Sequence, residues 1–272
     1  MTDYQFLFLL GTGHKASVRS AIRRTDGLSF AIKSFPPEME AQARKEFETA
    51  RLFTHPHLLR PEAYIQDGIV LPYCKGRSVE CLAGTVSESV AWQLLGQIAS
   101  ALDYLQERGY CHGSVCPGNI LWDGDHFLLA DFGMCHPAPG VETRNDPEDF
   151  RFVAPEGPMD ESSDVWSLGA TVFTLVLGNP VFNGLGGKAQ QPDSPVPYLR
   201  KAMPELSDLL CRCLAFDPKA RPSPALLSEE AETGLRQCLD KKPQRPLKPM
   251  NERAGNRGSP EAGFWPDPMI DS

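Results

Sequence analysis

The sequence predicts an α+β fold with two lobes, because strand-like segments come first along the chain and helical segments come later. Residues 4–10, 17–22 and 29–35 are short apolar runs separated by glycine-containing turns, a pattern typical of consecutive antiparallel strands. From residue 87 onward, apolar residues recur at helical spacing in the segments 90–108, 204–214 and 223–238. We therefore expect a small sheet lobe over about 1–73 and a larger, mostly helical lobe over about 77–238.

Each lobe also has one element that stands out. The charged, periodic segment 38–53 follows Pro36-Pro37, so we expect the sheet lobe to carry a single helix that begins after these prolines. Two further short strands, near 62–65 and 69–71, complete the predicted sheet. In the second lobe, segment 165–177 is apolar almost all round, which predicts a buried central helix.

Charge and hydropathy exclude several function classes. The formal net charge of -8 argues against a nucleic-acid-binding surface, which is normally basic. No apolar run approaches the roughly 20 residues that a membrane helix needs, and the start of the chain lacks a secretory-signal pattern. We therefore expect no nucleic-acid partner and no membrane association.

The 8 cysteines do not form the pattern of a disulfide framework. Most of them, including Cys81 and Cys111, fall inside apolar patterns, which indicates free thiols in a reducing compartment and a cytoplasmic location. Cys211 and Cys213 lack zinc-site spacing and a neighbouring histidine, so we expect small buried hydrophobic side chains there.

The composition changes over residues 239–272, where proline recurs and periodic apolar residues are scarce. We expect a disordered tail, basic in its first half. Pro243-Gln244-Arg245-Pro246 fits the P-x-x-P pattern of ligands for aromatic grooves, but such matches are common, and we favour a plain solvated tail.

Two local patterns point to phosphate chemistry. The segment Gly11 to Val18 follows G-x-G-x-x-G-x-V, with Ala16 at the third glycine; it would bring backbone N–H groups close to phosphates, although an ordinary hairpin turn explains it equally well. Lys33 lies in an otherwise apolar strand and needs a partner, for which Glu46 on the following helix is the natural candidate. A surface ion pair of little energetic worth is the alternative.

Longer motifs make the chain resemble the eukaryotic-type serine/threonine protein kinases from about residue 4 to residue 238. These motifs occur in the family's order and spacing: His112-Gly113-Ser114-Val115-Cys116-Pro117-Gly118-Asn119, Asp131-Phe132-Gly133, Ala154-Pro155-Glu156, Asp164-Val165-Trp166-Ser167-Leu168-Gly169 and Asp217-Pro218-Lys219-Ala220-Arg221-Pro222. The resemblance implies a bilobal protein kinase fold.

The resemblance also implies site residues for ATP and Mg²⁺. Lys33 would hold the α- and β-phosphates and pair with Glu46, under a loop that contains Gly11 and Gly13, while Asn119 and Asp131 would hold Mg²⁺. The adenine would lie among apolar and hinge residues, namely Val18, Ala31, the gatekeeper Leu71, the hinge Pro72-Tyr73-Cys74, and Leu121.

The remaining implied roles are structural. His112, Phe132 and Ala50 would belong to a stack of side chains that couples the lobes, and Asp164 would brace the catalytic loop. Glu156 and Arg221 would form an ion pair in the larger lobe.

The catalytic loop departs from the family pattern where chemistry is expected. Ser114 stands at the position of the catalytic Asp, Cys116 at that of a lysine that neutralises the γ-phosphate, and Gly113 at that of an arginine that receives an activation-loop phosphate. Glu148-Asp149 replaces the usual Gly-Thr, and Thr143 is the only hydroxyl residue from 131 to 156, so we expect no activation by phosphorylation of this segment.

The interpretation that we favour is a pseudokinase, which binds Mg-ATP and regulates or scaffolds a protein partner. An active serine/threonine kinase of low rate is the alternative, because phosphoryl transfer depends mostly on positioning and charge. A small-molecule kinase is a third, disfavoured by the motifs around Glu156, Asp164 and Arg221. The oligomeric state stays open.

Overall fold

A computed structural model describes residues 3–13, 15–140, 147–157, 160–196, 199 and 203–241. Its first lobe is a five-stranded antiparallel sheet with the strand order β1-β2-β3-β5-β4. The strands are β1 (Tyr4–Thr12), β2 (Ser17–Arg23), β3 (Ser29–Ser34), β4 (Ala63–Ile65) and β5 (Gly68–Pro72). These bounds lie within two residues of the predicted strands.

Helix α1 (Glu40–Arg51) packs against this sheet and begins two residues later than predicted. The difference arises because Pro37–Met39 form a single 3₁₀ turn, in which Pro37 occupies the first helical position. Glu46, Phe47 and Ala50 are among the residues that α1 buries. The helix therefore turns one carboxylate inward together with its apolar face.

The second lobe is built on four helices: α2 (Glu88–Gln106), α3 (Glu161–Leu177), α4 (Pro204–Cys213) and α5 (Pro224–Asp240). Helix α3 is buried along nearly its whole length, as predicted. It begins four residues before the predicted start, because Asp160 caps it by accepting hydrogen bonds from the backbone N–H groups of Ser162 and Ser163. Helix α5 continues to Asp240, so the first two residues assigned to the tail are helical.

Two small two-stranded sheets position the loops between the lobes. The pair β7 (Ile120–Trp122) and β8 (Phe127–Leu129) is antiparallel, and so is the pair β6 (Tyr110–Cys111) and β9 (His136–Pro137). The sequence reading did not identify β6 and β9, because two-residue strands leave no periodic pattern. The main core lies around α2 and α3 in the second lobe.

All eight cysteines are free thiols, in agreement with the sequence reading. Cys213 is buried as predicted, whereas Cys211 is only half-buried; Cys111 is buried and Cys81 is exposed. Cys81 lies in the 3₁₀ helix Val79–Leu82, where it donates a hydrogen bond to the Ser78 carbonyl. A 3₁₀ helix this short buries only Val79.

Within the described residues, no helix combines the length and apolar character needed to cross a bilayer. Thr143 and the P-x-x-P segment at 243–246 lie outside the described residues, as do the side chains of Glu148 and Asp149.

Candidate active site

Lys33, Glu46 and Asp131 meet at the centre of the cleft between the lobes. The Lys33 ammonium lies 2.8 and 3.0 Å from the two carboxylate oxygens of Glu46 and 3.0 Å from Asp131 Oδ1. The Lys33 and Glu46 side chains are only 13% and 10% exposed. One buried ammonium is therefore shared by two carboxylates, one from each lobe.

This sharing shifts the pKa values of all three groups. Burial would lower the pKa of Lys33, but the attraction of Asp131 and Glu46 outweighs burial and raises it. Burial raises the pKa of Glu46 to about 7, and repulsion from Asp131 acts in the same direction. The attraction of Lys33 opposes this rise and is outweighed. Burial would raise the pKa of Asp131 as well, but Lys33 outweighs burial and lowers it. The site has one negative charge more than Lys33 can balance.

Gly133 permits this close grouping. A Cβ atom at Gly133 would lie 3.2 Å from Asp131 Oδ1 and 3.4 Å from Glu46 Oε2, so a side chain there would crowd both carboxylates. Asp131 itself has a left-handed backbone, with φ of 67°, and accepts a hydrogen bond from Gly133 N–H. Such a conformation is uncommon in a non-glycine residue, and strained backbone of this kind clusters at functional sites.

Asn119 links the expected magnesium position to the catalytic loop. Its amide nitrogen donates hydrogen bonds to the Ser114 carbonyl and to Ser114 Oγ, each at 2.8 Å. Because the amide nitrogen is used on the Ser114 side, the amide oxygen lies on the other side of the group, where it can serve as a ligand for a hard cation. The sequence did not predict the contact with Ser114 Oγ.

Asp164 holds the start of the catalytic loop. Its two carboxylate oxygens accept hydrogen bonds from the backbone N–H groups of His112 at 2.6 Å and Gly113 at 2.8 Å. Asp164 is 3% exposed, so these charge-assisted bonds are shielded from water. Ser114, next along the loop, is 5% exposed, whereas Cys116 is half-buried.

The residues expected around the adenine lie together at the hinge side of the cleft. Ala31 on β3 is the direct cross-strand partner of Leu71 on β5, and Val18 on β2 pairs with Lys33. Leu71 and Leu121 pack against the small cluster that contains Cys74. Burial raises the pKa of the Cys74 thiol to about 11. Tyr73 connects Leu71 to Cys74 through the hinge and is half-buried.

The glycine loop joins β1 and β2 as a hairpin. Gly13 N–H donates to the Ala16 carbonyl at 2.9 Å. An added Cβ at Gly11 would meet no atom of the described residues within 4 Å, and one at Gly13 would meet only the Ala16 carbonyl at 3.7 Å. The packing of the described chain therefore leaves free space above this loop.

Two of the three residues expected in the coupling stack are in contact, together with one further residue. His112 and Phe132 make an edge-on contact with ring centroids 5.3 Å apart, and Phe132 belongs to the same core cluster as Ala50. Phe53 stacks on Phe132 at 6.0 Å. The sequence reading missed Phe53, although its position at the end of the predicted helix was a usable signal.

His136 and Cys111 form a buried contact that the sequence reading missed. His136 Nε2 lies 3.2 Å from Cys111 Sγ, and His136 Nδ1 lies 2.8 Å from the Met134 carbonyl oxygen. Gly113, with φ of 72°, lies against the same group: a Cβ there would be 2.9 Å from the Met134 carbonyl and 3.5 Å from the His136 ring. No local pattern reports this contact, because the residues are far apart in sequence.

The Glu156–Arg221 ion pair stabilises the larger lobe as the resemblance implied. Arg221 donates to Glu156 Oε2 at 2.9 Å and also to the carbonyls of Ser162, Ala215 and Phe216. The Arg221 side chain is fully buried in this network. The network joins the end of the segment 131–156 to the start of α3 and to the loop that precedes α5.

A strand lobe and a helical lobe around a shared Lys–Glu–Asp cluster define the class of two-lobed phosphotransferases. The comparison with family models gives the particular family: residues 4–239 match the model described as "Protein kinase domain". The chain belongs to the protein kinase family.

The chain is similar to proteins named as kinases and to a protein named for cytokinesis. The chain is 27% identical over 242 residues to "Cytokinesis protein sepH" of Aspergillus terreus, covering 82% of this chain and 18% of the relative. It is 28% identical over 242 residues to "Aurora kinase" of Dictyostelium discoideum, covering 80% and 62%. It is 30% identical over 206 residues to "Serine/threonine-protein kinase ATG1a" of Arabidopsis thaliana, covering 67% and 32%. The chain thus spans less than two thirds of each relative.

Proposed function

We propose that this chain is a pseudokinase, which binds Mg-ATP but transfers phosphate poorly, and which regulates or scaffolds a protein partner. The observation that carries the proposal is the contrast at Ser114. A hydroxyl bonded to Asn119 occupies the place of the catalytic carboxylate, while Lys33, Glu46 and Asp131 remain assembled.

The nucleotide-binding part rests on how well the residues fit the ligand. The cleft has one negative charge more than Lys33 balances, and Mg²⁺ would supply the missing positive charge. The Asp131 carboxylate and the Asn119 amide oxygen are hard oxygen ligands, and Mg²⁺ is commonly bound by one or two such groups plus phosphates. Lys33 would pair with phosphate oxygens, and the open space beside Gly11 and Gly13 would let the phosphates lie close to the backbone of this loop.

The catalytic impairment rests on the loss of two charges. Ser114 Oγ is a far weaker base than a carboxylate, and removing a general base typically costs about 10²–10⁴-fold in rate. Cys116 offers no positive charge to the γ-phosphate, which weakens the electrostatic stabilisation of the transition state. Ser114 Oγ can only accept or donate a neutral hydrogen bond to an incoming hydroxyl.

An active serine/threonine kinase of low rate is the second candidate. The ion pair between Lys33 and Glu46 favours it, because this pair must form for protein kinases to act. A small-molecule kinase is less well supported, since the Glu156–Arg221 ion pair belongs to the protein-kinase larger lobe. We also propose a cytoplasmic location, which the eight free thiols support.

A thermal unfolding experiment tests the nucleotide-binding part of this proposal. Mg-ATP at a concentration of about 100 Kd should stabilise the protein by about 2.7 kcal/mol and raise its Tm. Lys33→Met should abolish the shift because it removes the phosphate partner. Lys219→Met, at an exposed position in the larger lobe, serves as the matched control and should keep the shift.

The variants also separate the two halves of the proposal. Ser114→Ala should keep most of the Mg-ATP shift, because the Ser114 carbonyl still accepts a hydrogen bond from Asn119 and holds this proposed magnesium ligand in place. An unchanged Tm of the wild type with saturating Mg-ATP would refute nucleotide binding, whatever the transfer activity.

A further inference from the structure

A groove on the far side of the larger lobe has no role in the proposed activity. It has a volume of about 300 Å³ and lies between α2, α4 and α5. Helix α5 forms one wall with a stripe of residues spaced three or four apart: Leu226, Glu229, Glu230, Thr233, Gly234 and Gln237. Trp92 forms the floor, and Glu205 and Leu209 of α4 form the other wall.

The floor of the groove is apolar and its rim is acidic. Trp92 is 3% exposed, and α5 approaches it so closely that a Cβ at Gly234 would lie 2.7 Å from the indole ring. Leu226 is 43% exposed, although it borders the groove. Glu205, Glu229 and Glu230 surround these apolar groups, and Arg212 pairs with Glu230. Such a surface suits a segment that combines cations with apolar side chains.

The chain carries a segment of this composition directly after α5. Residues 242–248 read Lys-Pro-Gln-Arg-Pro-Leu-Lys, with three cations and one leucine. The preceding residue, Lys241, occupies the next position of the α5 stripe after Gln237. Its ammonium already lies 3.1 Å from Glu205 Oε1, across the mouth of the groove.

The lengths of the groove and the segment also match. The stripe from Leu226 to Gln237 is about 16 Å long at the helical rise of 1.5 Å per residue. A polyproline II segment rises about 3.1 Å per residue, so six residues span about 19 Å. Because Lys241 lies four residues beyond Gln237, a segment that turns back after Lys241 brings Leu247 to about the level of Glu229, within one helical turn of Leu226.

We propose that the basic segment 242–248 docks in the acidic groove between α4 and α5 of its own chain. Lys242, Arg245 and Lys248 pair with the rim carboxylates, and Leu247 packs near Leu226. Docking covers the exposed apolar part of the groove and extends the contact that Lys241 makes with Glu205.

Zero-length cross-linking of the full chain tests the proposal. A carbodiimide joins carboxylates to lysine amines that are in contact, and peptide mass spectrometry then locates the links. The Lys241–Glu205 link is the internal positive control. We expect Lys248 to be linked to Glu229 or Glu230, and Lys242 to Glu205, in protein that remains monomeric.

Two tail variants of equal charge change provide the matched comparison. Arg245→Glu should lower the yield of the Lys248 links roughly three- to tenfold, since it turns an ion pair into a repulsion while leaving the reacting lysine in place. Arg257→Glu lies beyond the proposed segment and should leave the yield within about twofold.

Three results would overturn the proposal. The first is a Lys241–Glu205 link without any link from Lys242 or Lys248 to the groove. The second is the presence of these links only in cross-linked dimers, which would identify a second copy as the occupant. The third is an equal loss with Arg245→Glu and Arg257→Glu, which would indicate unspecific charge attraction.

Discussion

The half of the cleft expected to bind the nucleotide has the charged residues of the family, whereas the half expected to transfer phosphate does not. At the nucleotide half, the Lys33 ammonium lies in contact with both Glu46 and Asp131. At the transfer half, the loop that contains Ser114 and Cys116 keeps its supports but has lost its charges. The backbone of this loop is thus held by Asp164, which is not among the residues expected to perform the chemistry.

Asp164 is the support on which this comparison depends most. It accepts hydrogen bonds from two buried N–H groups of the loop, at His112 and Gly113. Asp164→Ala would leave both donors unpaired, so we expect the free energy of unfolding to fall by about 3–5 kcal/mol. Chemical denaturation measures the change. A loss below about 1 kcal/mol would show that the loop does not depend on Asp164.

The charge imbalance at the nucleotide half predicts an effect of pH. The pKa of Glu46 is about 7 in the folded protein, above its ordinary value of 4.5. Between pH 4.5 and about 7, the folded state therefore holds a proton on Glu46 that the unfolded state has lost. The stability of the ligand-free protein relative to Glu46→Gln should therefore fall as the pH rises from 4.5 to about 7, and level off above. Denaturant titrations of both proteins over this range measure the difference. A relative stability that rises with pH would mean that Lys33 compensates both carboxylates.

Substitution of Gly113 tests whether a side chain fits at the loop position where the family has an arginine. Gly113 and Gly109 share a φ of 72°, but only a Cβ at Gly113 meets neighbours, the Met134 carbonyl and the His136 ring. Both alanine variants should lose about 1 kcal/mol from backbone strain, and Gly113→Ala should lose a further 1–2 kcal/mol from crowding. Equal losses in the two variants would show that His136 does not restrict this position.

The sequence predicted the elements whose signals are local. The first three strands follow from apolar runs between glycine-containing turns, and the buried central helix follows from an apolar segment without a polar face. The start of α3 was missed, although Asp160 offered a capping signal. The start of α1 was misplaced because Pro37 favours the start of an α-helix and of a 3₁₀ helix alike. Here a 3₁₀ turn at Pro37–Met39 precedes the α-helix.

The candidate site was predictable only where a motif marks it. The contact of Lys33 with Glu46 followed from a buried charge in need of a partner. The contacts of His136 with Cys111, and of Asn119 with Ser114 Oγ, depend on chain segments that only the folded structure brings together. The shared ammonium between Glu46 and Asp131 likewise required the relative placement of the two lobes.

The most direct test of the central claim is a matched phosphotransfer assay with radiolabelled ATP. It compares the wild type, Ser114→Asp, and Ser114→Asp with Cys116→Lys, and uses Asp131→Ala as the background control. We predict a wild type close to background and a gain of about 10²-fold or more when the carboxylate returns, increased further by the lysine. Robust wild-type transfer that Asp131→Ala abolishes would contradict the account and establish an active kinase.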